Sequence, residues 1–298
     1  MSVQFGQYPP ARQVLVHLSD THFLAGGAPL HGDIATETHL ARALLQIETM
    51  GIRPSALIFT GDLADLGEPD AYRRLRAQLE PVAGRLGAEL ILLMGNHDER
   101  APLRRELWDE DESDAPLDRV WDLEGLRVIG LDSSVPGYHH GELTDEQLAW
   151  LDTELSVAAE HGTIIGLHHP PVPVAQPIFE LLELRDQERF ADVVRGRDVR
   201  AILGGHLHYA THSTFAGIPV SVAAATCYTM NLSRPAGTVN GMNGGQSFQL
   251  VHVYDDRITH SLVPIGDYPT ADTFTEEFIR ELEALTPQER LELFSRKR

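Results

Sequence analysis

The chain has 298 residues, of which 42% are hydrophobic, and its formal net charge is −20 at pH 7. This length and apolar content allow one α/β domain to bury a full core, while the negative charge argues against tight binding to long nucleic acids. Apolar runs are too short to cross a bilayer, the first residues lack signal-peptide features, and Cys227 is the only cysteine, so we expect a cytoplasmic protein without a transmembrane segment.

Six short apolar runs recur along the chain, and each ends in polar residues. They predict buried strands at residues 14–18, 56–59, 89–94, 126–131, 163–167 and 199–203. Helical spacing of apolar residues between several of these runs predicts helices at residues 36–50, 70–86, 144–159 and 179–194. Thr144 followed by Gln147 predicts a capping box at the start of the third helix. Strands that alternate with helices are typical of an α/β protein.

The later part of the chain has strands without helices between them, at residues 218–223, 248–254 and 258–263. They indicate a second, more antiparallel sheet. The predicted fold class is therefore α/β, a four-layer α/β/β/α sandwich of two mixed sheets flanked by helices.

Residues 231–246 are rich in Gly and Asn and predict a mobile loop. We divide the chain into a domain of residues 1–266 and an amphipathic helical tail of residues 267–298, which packs on the domain or on a partner subunit.

Polar side chains follow the apolar runs and define a candidate site. The carboxyl ends of strands in α/β sheets are where such sites form. Asp20 and His22 are two residues apart, as are His206 and His208, so each pair faces one side of an extended segment. The candidate metal ligands are Asp20, His22, Asp62, Asn96, His168, His206 and His208.

Seven side chains exceed what one tetrahedral ion binds. With Asp62 as a shared carboxylate they suit two ions, and the mixture of imidazole and carboxylate favours Fe, Mn, Zn or Co over Ca or Mg. Two neighbouring metals stabilise both the attacking and the leaving oxygen of a phosphoryl displacement. The sequence therefore predicts a dinuclear metal centre at one end of the sheets. His17, inside the first strand, is interpreted instead as a packed, hydrogen-bonded histidine.

Five sequence blocks carry a resemblance to a known family. Residues 20–22 (DTH), 61–65 (GDLAD), 95–98 (GNHD), 168–170 (HHP) and 205–208 (GHLH) resemble the signature blocks of the calcineurin-like metallophosphoesterases. A closer likeness, to the bacterial class III cyclic nucleotide phosphodiesterases and especially their actinobacterial branch, lies at residues 60–68 (TGDLADLGE), 135–142 (VPGYHHGE), 202–209 (ILGGHLHY) and 218–226 (IPVSVAAAT).

The resemblance implies how the ligands divide between the two metals. The first metal would be held by Asp20, His22, Asp62 and His208, and the second by Asp62, Asn96, His168 and His206. His97 would contact the phosphate and assist the leaving group, which makes His97, Asn96 and Asp62 the implied catalytic residues.

The resemblance also implies supporting residues around the ligands. Asp65 and Asp98 would orient metal-binding histidines, with roles in turns or helix caps as the alternative. His169 would lie outside the ligand shell as a supporting residue. His139 and His140, in the loop after the central strand, are interpreted as surface histidines, with a position at the border of the substrate site as the alternative.

The resemblance finally implies a reaction. A hydroxide that bridges the metals would attack phosphorus in line, with Fe and Mn favoured as the metals and a homodimer expected. The implied substrates are small anionic phosphodiesters, cAMP and cGMP. No motif reads a base, so two alternatives stay open. One is a broad phosphodiesterase acting on 2′,3′-cyclic nucleotides or on other small or lipid-linked diesters, and the other is an inactive metal-binding interaction module.

Overall fold

The computed structural model describes residues 3–235 and 238–297. Its strands are β1 (Gln13–Leu18), β2 (Ala56–Thr60), β3 (Glu89–Leu93), β4 (Arg119–Leu123), β5 (Leu126–Leu131), β6 (Thr163–Leu167), β7 (Val199–Gly204), β8 (Thr211–Phe215), β9 (Ile218–Val222), β10 (Thr229–Met230), β11 (Gly241–Met242), β12 (Ser247–Val253) and β13 (Ile258–Pro264). Its α-helices are α1 (Thr36–Thr49), α2 (Pro69–Leu86), α3 (Arg100–Trp108), α4 (Asp145–Glu154), α5 (Gln187–Val194), α6 (Glu276–Ala284) and α7 (Pro287–Arg290).

Two mixed sheets form the centre of residues Arg12–Ile265. The first has the strand order β13-β12-β1-β2-β3, and the second has the order β4-β5-β6-β7-β9-β8. Strands β1 to β3 run parallel, as do β5, β6, β7 and β9. Antiparallel strands extend each sheet at its sides. The parallel strands β2 and β6 are buried along their whole length, as strands covered on both faces must be.

Apolar side chains connect four layers. Because side chains alternate along a strand, Leu57 and Phe59 of β2 face helices α1 to α3, while Ile58 faces the other sheet. Ile164 of β6 meets Ile58 in the cluster between the sheets, and Ile165 packs against α4 and α5. This arrangement confirms the predicted sandwich of two mixed sheets flanked by helices.

The sheet membership of the last strands differs from the prediction. Residues 248–254 and 258–263 were expected to join residues 218–223 in one antiparallel sheet, and that expectation is wrong. β12 pairs with β1 in the first sheet, with Leu15 opposite Val251, whereas β9 pairs with β7 in the second. Without β12, the buried strand β1 would be a sheet edge with unpaired backbone groups, which folds avoid.

Helix boundaries differ in two places. The capping box is confirmed, because the Thr144 hydroxyl accepts from the Gln147 amide and the Gln147 side chain accepts from the Thr144 amide, although α4 ends at Glu154. The single helix predicted at residues 179–194 is instead a 3-10 helix, Pro177–Leu182, followed by α5. Asp186 separates them at a φ of 50°, where a right-handed helix cannot continue.

The described chain divides into two compact units, Arg12–Ile265 and a smaller unit that combines the residues up to Ala11 with those from Gly266 onward. The smaller unit contains α6 and α7, and the rings of Phe274, Phe278 and Phe294 pack together. The domain boundary at residue 266 and the surface on which the tail packs stay predictions.

Within residues 3–235 and 238–297, none of the helices has the length and apolar character that a membrane span requires. Within the loop predicted at residues 231–246, Gly241–Met242 form β11, which pairs with β10 as an antiparallel ladder. Five residues of the predicted domain, loop and tail lie outside the described residues: Met1, Ser2, Ala236, Gly237 and Arg298.

Candidate metal centre

All seven predicted ligands follow the carboxyl ends of parallel strands. Asp20 and His22 come after β1, Asp62 after β2, Asn96 after β3, His168 after β6, and His206 and His208 after β7. The two sheets thus deliver polar side chains to a common edge, as α/β sheets do at their sites.

The backbone at this edge is strained. Among the described residues, ten that are not glycine have a positive φ, and five of these are predicted ligands: Asp20, His22, Asp62, His206 and His208. A positive φ costs free energy in an L-residue and persists only where the surrounding structure enforces it, most often at functional sites. Gly95 lies so close to Asp62 that a β-carbon would collide with its carboxylate, which explains the glycine before Asn96.

The first group of side chains consists of Asp20, His22, Asp62 and His208. One ligand atom from each lies within 4.8 Å of the others, and all four residues are buried. The Nε2 atom of His22 is 3.4 Å from Asp62 Oδ2 and 3.2 Å from His208 Nε2, and the latter is 3.5 Å from Asp20 Oδ1. These are the four residues predicted for the first metal.

The second group shares Asp62 with the first. His168 Nε2 lies 3.2 Å from Asp62 Oδ2, 3.1 Å from Asn96 Oδ1 and 3.2 Å from His206 Nδ1. The same carboxylate oxygen therefore approaches both His22 and His168, which is the arrangement a bridging ligand requires. Their role as ligands stays a prediction.

The outward nitrogen of each candidate histidine is fixed by a hydrogen bond. His22 Nδ1 donates to the Asp65 carboxylate at 2.9 Å. His168 Nδ1 donates to the Thr60 carbonyl at 2.7 Å, and carbonyl oxygens of Leu182 and Tyr228 accept from His206 Nε2 and His208 Nδ1 at 3.1 and 3.0 Å. Since a carbonyl or an ionised carboxylate only accepts, each outward nitrogen keeps its proton, so the inward nitrogen is the one available to a metal. This donor set fits two transition-metal ions.

The acidic groups differ in how readily they hold a proton. Burial raises the pKa of Asp20 to about 6, although His168 and His22 oppose the rise. Burial would also raise the pKa of Asp62, but the adjacent His168 and His22 hold it well below its usual range. Asp62 is therefore the ionised carboxylate at the centre of the cluster, which suits a shared ligand.

Asp65 and Asp98 support the site in different ways. Asp65 contacts His22, as predicted for a residue that orients a histidine. Asp98 has other partners: its carboxylate accepts from the backbone amides of Leu63, Ala64 and Gly95 at 2.9–3.0 Å, and from the Tyr72 hydroxyl at 3.0 Å. Asp98 thus ties the loop after β3 to the loop after β2, rather than orienting a ring.

His169 directs both ring nitrogens away from the ligand cluster. Its Nδ1 atom lies 2.8 Å from the Ser133 hydroxyl, and its Nε2 donates to the His139 carbonyl at 3.1 Å. The ring stands 4.5 Å from that of His206. His169 therefore packs behind a predicted ligand, in keeping with a supporting role.

The loop after β5 approaches the site more closely than the sequence indicated. His139 is exposed, but its Nδ1 accepts from the Asn96 side-chain amide at 2.8 Å, and its ring lies 5.0 Å from that of His97. His140 is only 7% exposed and lies 3.0 Å from Glu142, so its interpretation as a surface histidine is wrong. The loop folds back through a bridge between Ser134 and Gly141, and Gly141 is also bridged to Leu184, a long-range contact that local sequence does not reveal.

Three further residues that the sequence or the structure singles out are His97, His17 and Cys227. His97 donates from Nδ1 to the Asp65 carbonyl at 3.0 Å, and its ring lies 4.8 Å from that of His22. His17 is buried and contacts the Thr60 hydroxyl at 3.0 Å, which confirms it as a packed, hydrogen-bonded histidine. Cys227 lies beside His22 and His208, but burial raises the pKa of its thiol well above the ordinary value, so it is a poor ligand.

Comparison with known proteins agrees with this geometry. Residues 14–210 match the family model described as calcineurin-like phosphoesterase. That match covers more than half of the sequence, and the chain belongs to the calcineurin-like phosphoesterase family.

Two relatives and one solved structure illustrate the likeness. A Rhodococcus erythropolis protein named probable cyclic nucleotide phosphodiesterase is 56% identical over 91% of this chain and 89% of its own length. A cAMP/cGMP dual specificity phosphodiesterase of Mycobacterium tuberculosis is 53% identical over 90% of this chain and 84% of its own length. A dimetal phosphatase from Danio rerio has a TM-score of 0.63, with 17% identity over 86% of this chain and 98% of that one, which shows the shared fold.

Proposed function

We propose that this protein hydrolyses the 3′,5′-cyclic nucleotides cAMP and cGMP to 5′-monophosphates. The observation that carries the chemistry is the position of Asp62, whose Oδ2 atom lies 3.4 Å from His22 and 3.2 Å from His168 and so joins two groups of metal-binding side chains. The substrate class is supported by the 53% identity to a relative named for cAMP and cGMP.

In this proposal each metal is held by four residues. The first set is Asp20, His22, Asp62 and His208, and the second is Asp62, Asn96, His168 and His206. Two bound ions would supply Lewis acidity toward phosphate oxygens and would lower the pKa of a coordinated water. The outward hydrogen bonds of the four histidines fix their rings, so little reorganisation is needed when the ions bind.

Asn96 and His97 act on the substrate. The Asn96 side-chain nitrogen is held by His139 at 2.8 Å, which orients its amide oxygen toward His168. The His97 Nδ1 atom is committed to the Asp65 carbonyl, and this leaves Nε2 as the nitrogen that faces a substrate. In its doubly protonated form His97 also carries a proton on Nε2, and it can pass that proton to the leaving ribose oxygen, where general-acid help is needed.

The direct test is a panel of substrates measured with metal-loaded enzyme. We expect kcat/KM for cAMP and cGMP to exceed kcat/KM for 2′,3′-cyclic AMP and for a linear diester such as glycerophosphocholine. If kcat/KM is clearly higher for 2′,3′-cyclic AMP or for the linear diester, the protein is instead a broad phosphodiesterase or one that acts on lipid-linked diesters. No turnover of bis(4-nitrophenyl) phosphate, with two metals bound per chain, would favour an inactive interaction module.

We extend the proposal to the metals, the assembly and the location. Imidazole with carboxylate suits Fe, Mn, Zn or Co, and within that group Fe and Mn are favoured by the family resemblance alone. A homodimer is supported by the exposed apolar side chains of the smaller unit, among them Phe5, Phe274 and Phe294 at 53–59% exposure. A cytoplasmic location is supported by the presence of a single cysteine, Cys227. Elemental analysis of protein purified without added metal, together with light scattering, tests the metal pair and the dimer.

A further inference from the structure

A cleft of about 330 Å³ opens between two chain segments next to the first ligand group. One wall is the segment 31–34, which precedes α1, and the other is formed by Tyr228 with the β10-β11 ladder. The side chains that matter here are those of His31, Asp33, Tyr228, Met230, Met242 and Asn243.

The cleft is joined to the ligand cluster by Tyr228. The Tyr228 carbonyl accepts from His208 Nδ1 at 3.0 Å, and the two rings are 4.5 Å apart. On the other side, the His31 ring meets Tyr228 edge-on at 5.4 Å. A row of three rings therefore leads from a predicted metal ligand into the cleft.

The position of the Tyr228 ring is fixed by the hairpin. A β-carbon on Gly241 would stand only 2.8 Å from Tyr228 Cε2, so the absence of a side chain lets β11 close against the ring. Tyr228 also packs against the small apolar cluster that contains Ile34 and Cys227. The aromatic surface is thus held in place before any ligand arrives.

The chemistry of the lining suits a flat heteroaromatic group. Aromatic rings stack on any nucleobase, and the thioethers of Met230 and Met242 adapt to its outline. Asp33 and Asn243 offer acceptor and donor groups for the base edge. A phosphate held at the ligand cluster is separated from its base by one ribose, and the cleft begins one side chain beyond His208.

We propose that this cleft is the nucleobase subsite, in which Tyr228 and His31 contact the purine of the substrate. This inference rests on the proposed function, because it assumes a nucleotide as the substrate. Stacking and flexible thioethers do not depend on the identity of the base, so the subsite accepts both adenine and guanine. Tyr228 and His31 are here substrate-binding residues, distinct from the residues that hold the metals.

The test compares two ligands that differ only in the base, AMP and ribose 5-phosphate, by calorimetric titration of the metal-loaded enzyme. We expect wild-type protein to bind AMP at least about tenfold more tightly, the scale of one base–aromatic stack. Tyr228→Leu and His31→Asn should lose most of that preference while the affinity for ribose 5-phosphate stays unchanged. Asn is chosen at His31 because that residue has a φ of 54°, which Asn tolerates.

Two further variants serve as controls. Tyr228→Phe keeps the ring and should keep the preference for AMP. Tyr254→Leu removes a tyrosine whose ring also lies near a histidine, His252. Tyr254 follows the end of β12 that pairs with the start of β1, and this end of the sheet is away from the ligands. It should change the affinity for neither ligand. His31→Asn keeps the test open if Tyr228→Leu does not fold, because His31 is exposed.

The outcomes separate the subsite from the proposed function. Equal wild-type affinities for AMP and ribose 5-phosphate, or equal losses of both in His31→Asn, would overturn the subsite even if cAMP is hydrolysed. A preference for AMP that the variants abolish, in an enzyme that does not hydrolyse cAMP, would keep the subsite and reject 3′,5′-cyclic nucleotides as substrates.

Discussion

The interior histidine His17 makes the stability of the fold depend on pH. Burial, together with the nearby imidazole of His260, lowers its pKa to about 3, whereas in the unfolded chain it titrates near 6.5. Between these two values the unfolded state binds the proton and the folded state does not. The contribution of His17 to stability is therefore fully present above pH 6.5 and is lost as the pH falls toward 3.

The size of this effect follows from the two pKa values. A histidine that titrates near 6.5 unfolded and at about 3 folded lowers the free energy of unfolding by about 2 kcal/mol between pH 7 and pH 5. In His17→Gln the side chain stays polar beside Thr60 but no longer titrates. The variant is less stable at pH 7, and its deficit relative to wild type should shrink by about 2 kcal/mol at pH 5.

Urea unfolding of both proteins at pH 7, 6 and 5, with a metal chelator present throughout, measures this difference while all other titrating groups cancel. Thr60→Val is the matched control, because it removes the hydroxyl that lies 3.0 Å from His17 and leaves the imidazole in place. Its deficit should stay constant over the same range. A deficit of His17→Gln that is the same at pH 7 and pH 5 would refute the assignment of a neutral, buried His17.

Three predictions concern the site. Asp62→Ala should abolish both bound metals and activity, measured by elemental analysis and turnover; two metals per chain in this variant would reject the shared ligand. His97→Ala should keep both metals and lose about 10²–10⁴-fold in kcat toward cAMP, but much less toward bis(4-nitrophenyl) phosphate, whose leaving group needs no proton. Equal losses on both substrates would indicate charge stabilisation instead. The enzyme should have a higher kcat/KM for a nitrophenyl diester than for the monoester. The reason is that Arg100 donates to the Asp132 carboxylate at 2.8 Å and is not available to bind a terminal phosphate. A higher kcat/KM for the monoester would contradict this.

The ligand groups could be predicted because each is local in sequence. Asp20 and His22, or His206 and His208, lie within one short loop after an apolar strand, and the carboxyl ends of parallel strands must converge. The sequence pattern shows where each loop lies, at the end of its strand. The structure adds the distances, such as 3.2 Å between His168 and Asp62.

The supporting contacts could not be predicted, because their partners are far apart along the chain. Asp98 follows Asn96 closely, yet it binds amides more than thirty residues earlier, at Leu63 and Ala64. Tyr228 supplies a carbonyl to His208 from twenty residues further along the chain, beyond β8 and β9, in a segment with no recognisable motif. Such contacts depend on loop conformation, which tertiary packing sets and local residue preference does not.

The fold was predictable to the extent that periodicity reports burial. Strands buried on both faces, such as β2 and β6, stand out as apolar runs. The edge strand β8, whose residues are all partly or fully exposed, has no such run and was missed. α3 was missed for a similar reason, since only Leu103 and Leu107 of its nine residues are buried.

The distribution of charge explains how an acidic chain can bind an anionic substrate. The net charge of −20 repels a long polyanion along its whole length, whereas one diester carries a single negative charge. At the ligand cluster the carboxylates of Asp20 and Asp62 are buried among histidines rather than exposed to the approaching phosphate. Cations held there would dominate the local field, because a bound ion is the largest charge in such a site. Attraction for phosphate would then be confined to the strand ends, and we expect the acidic surface to favour small diesters over nucleic acid.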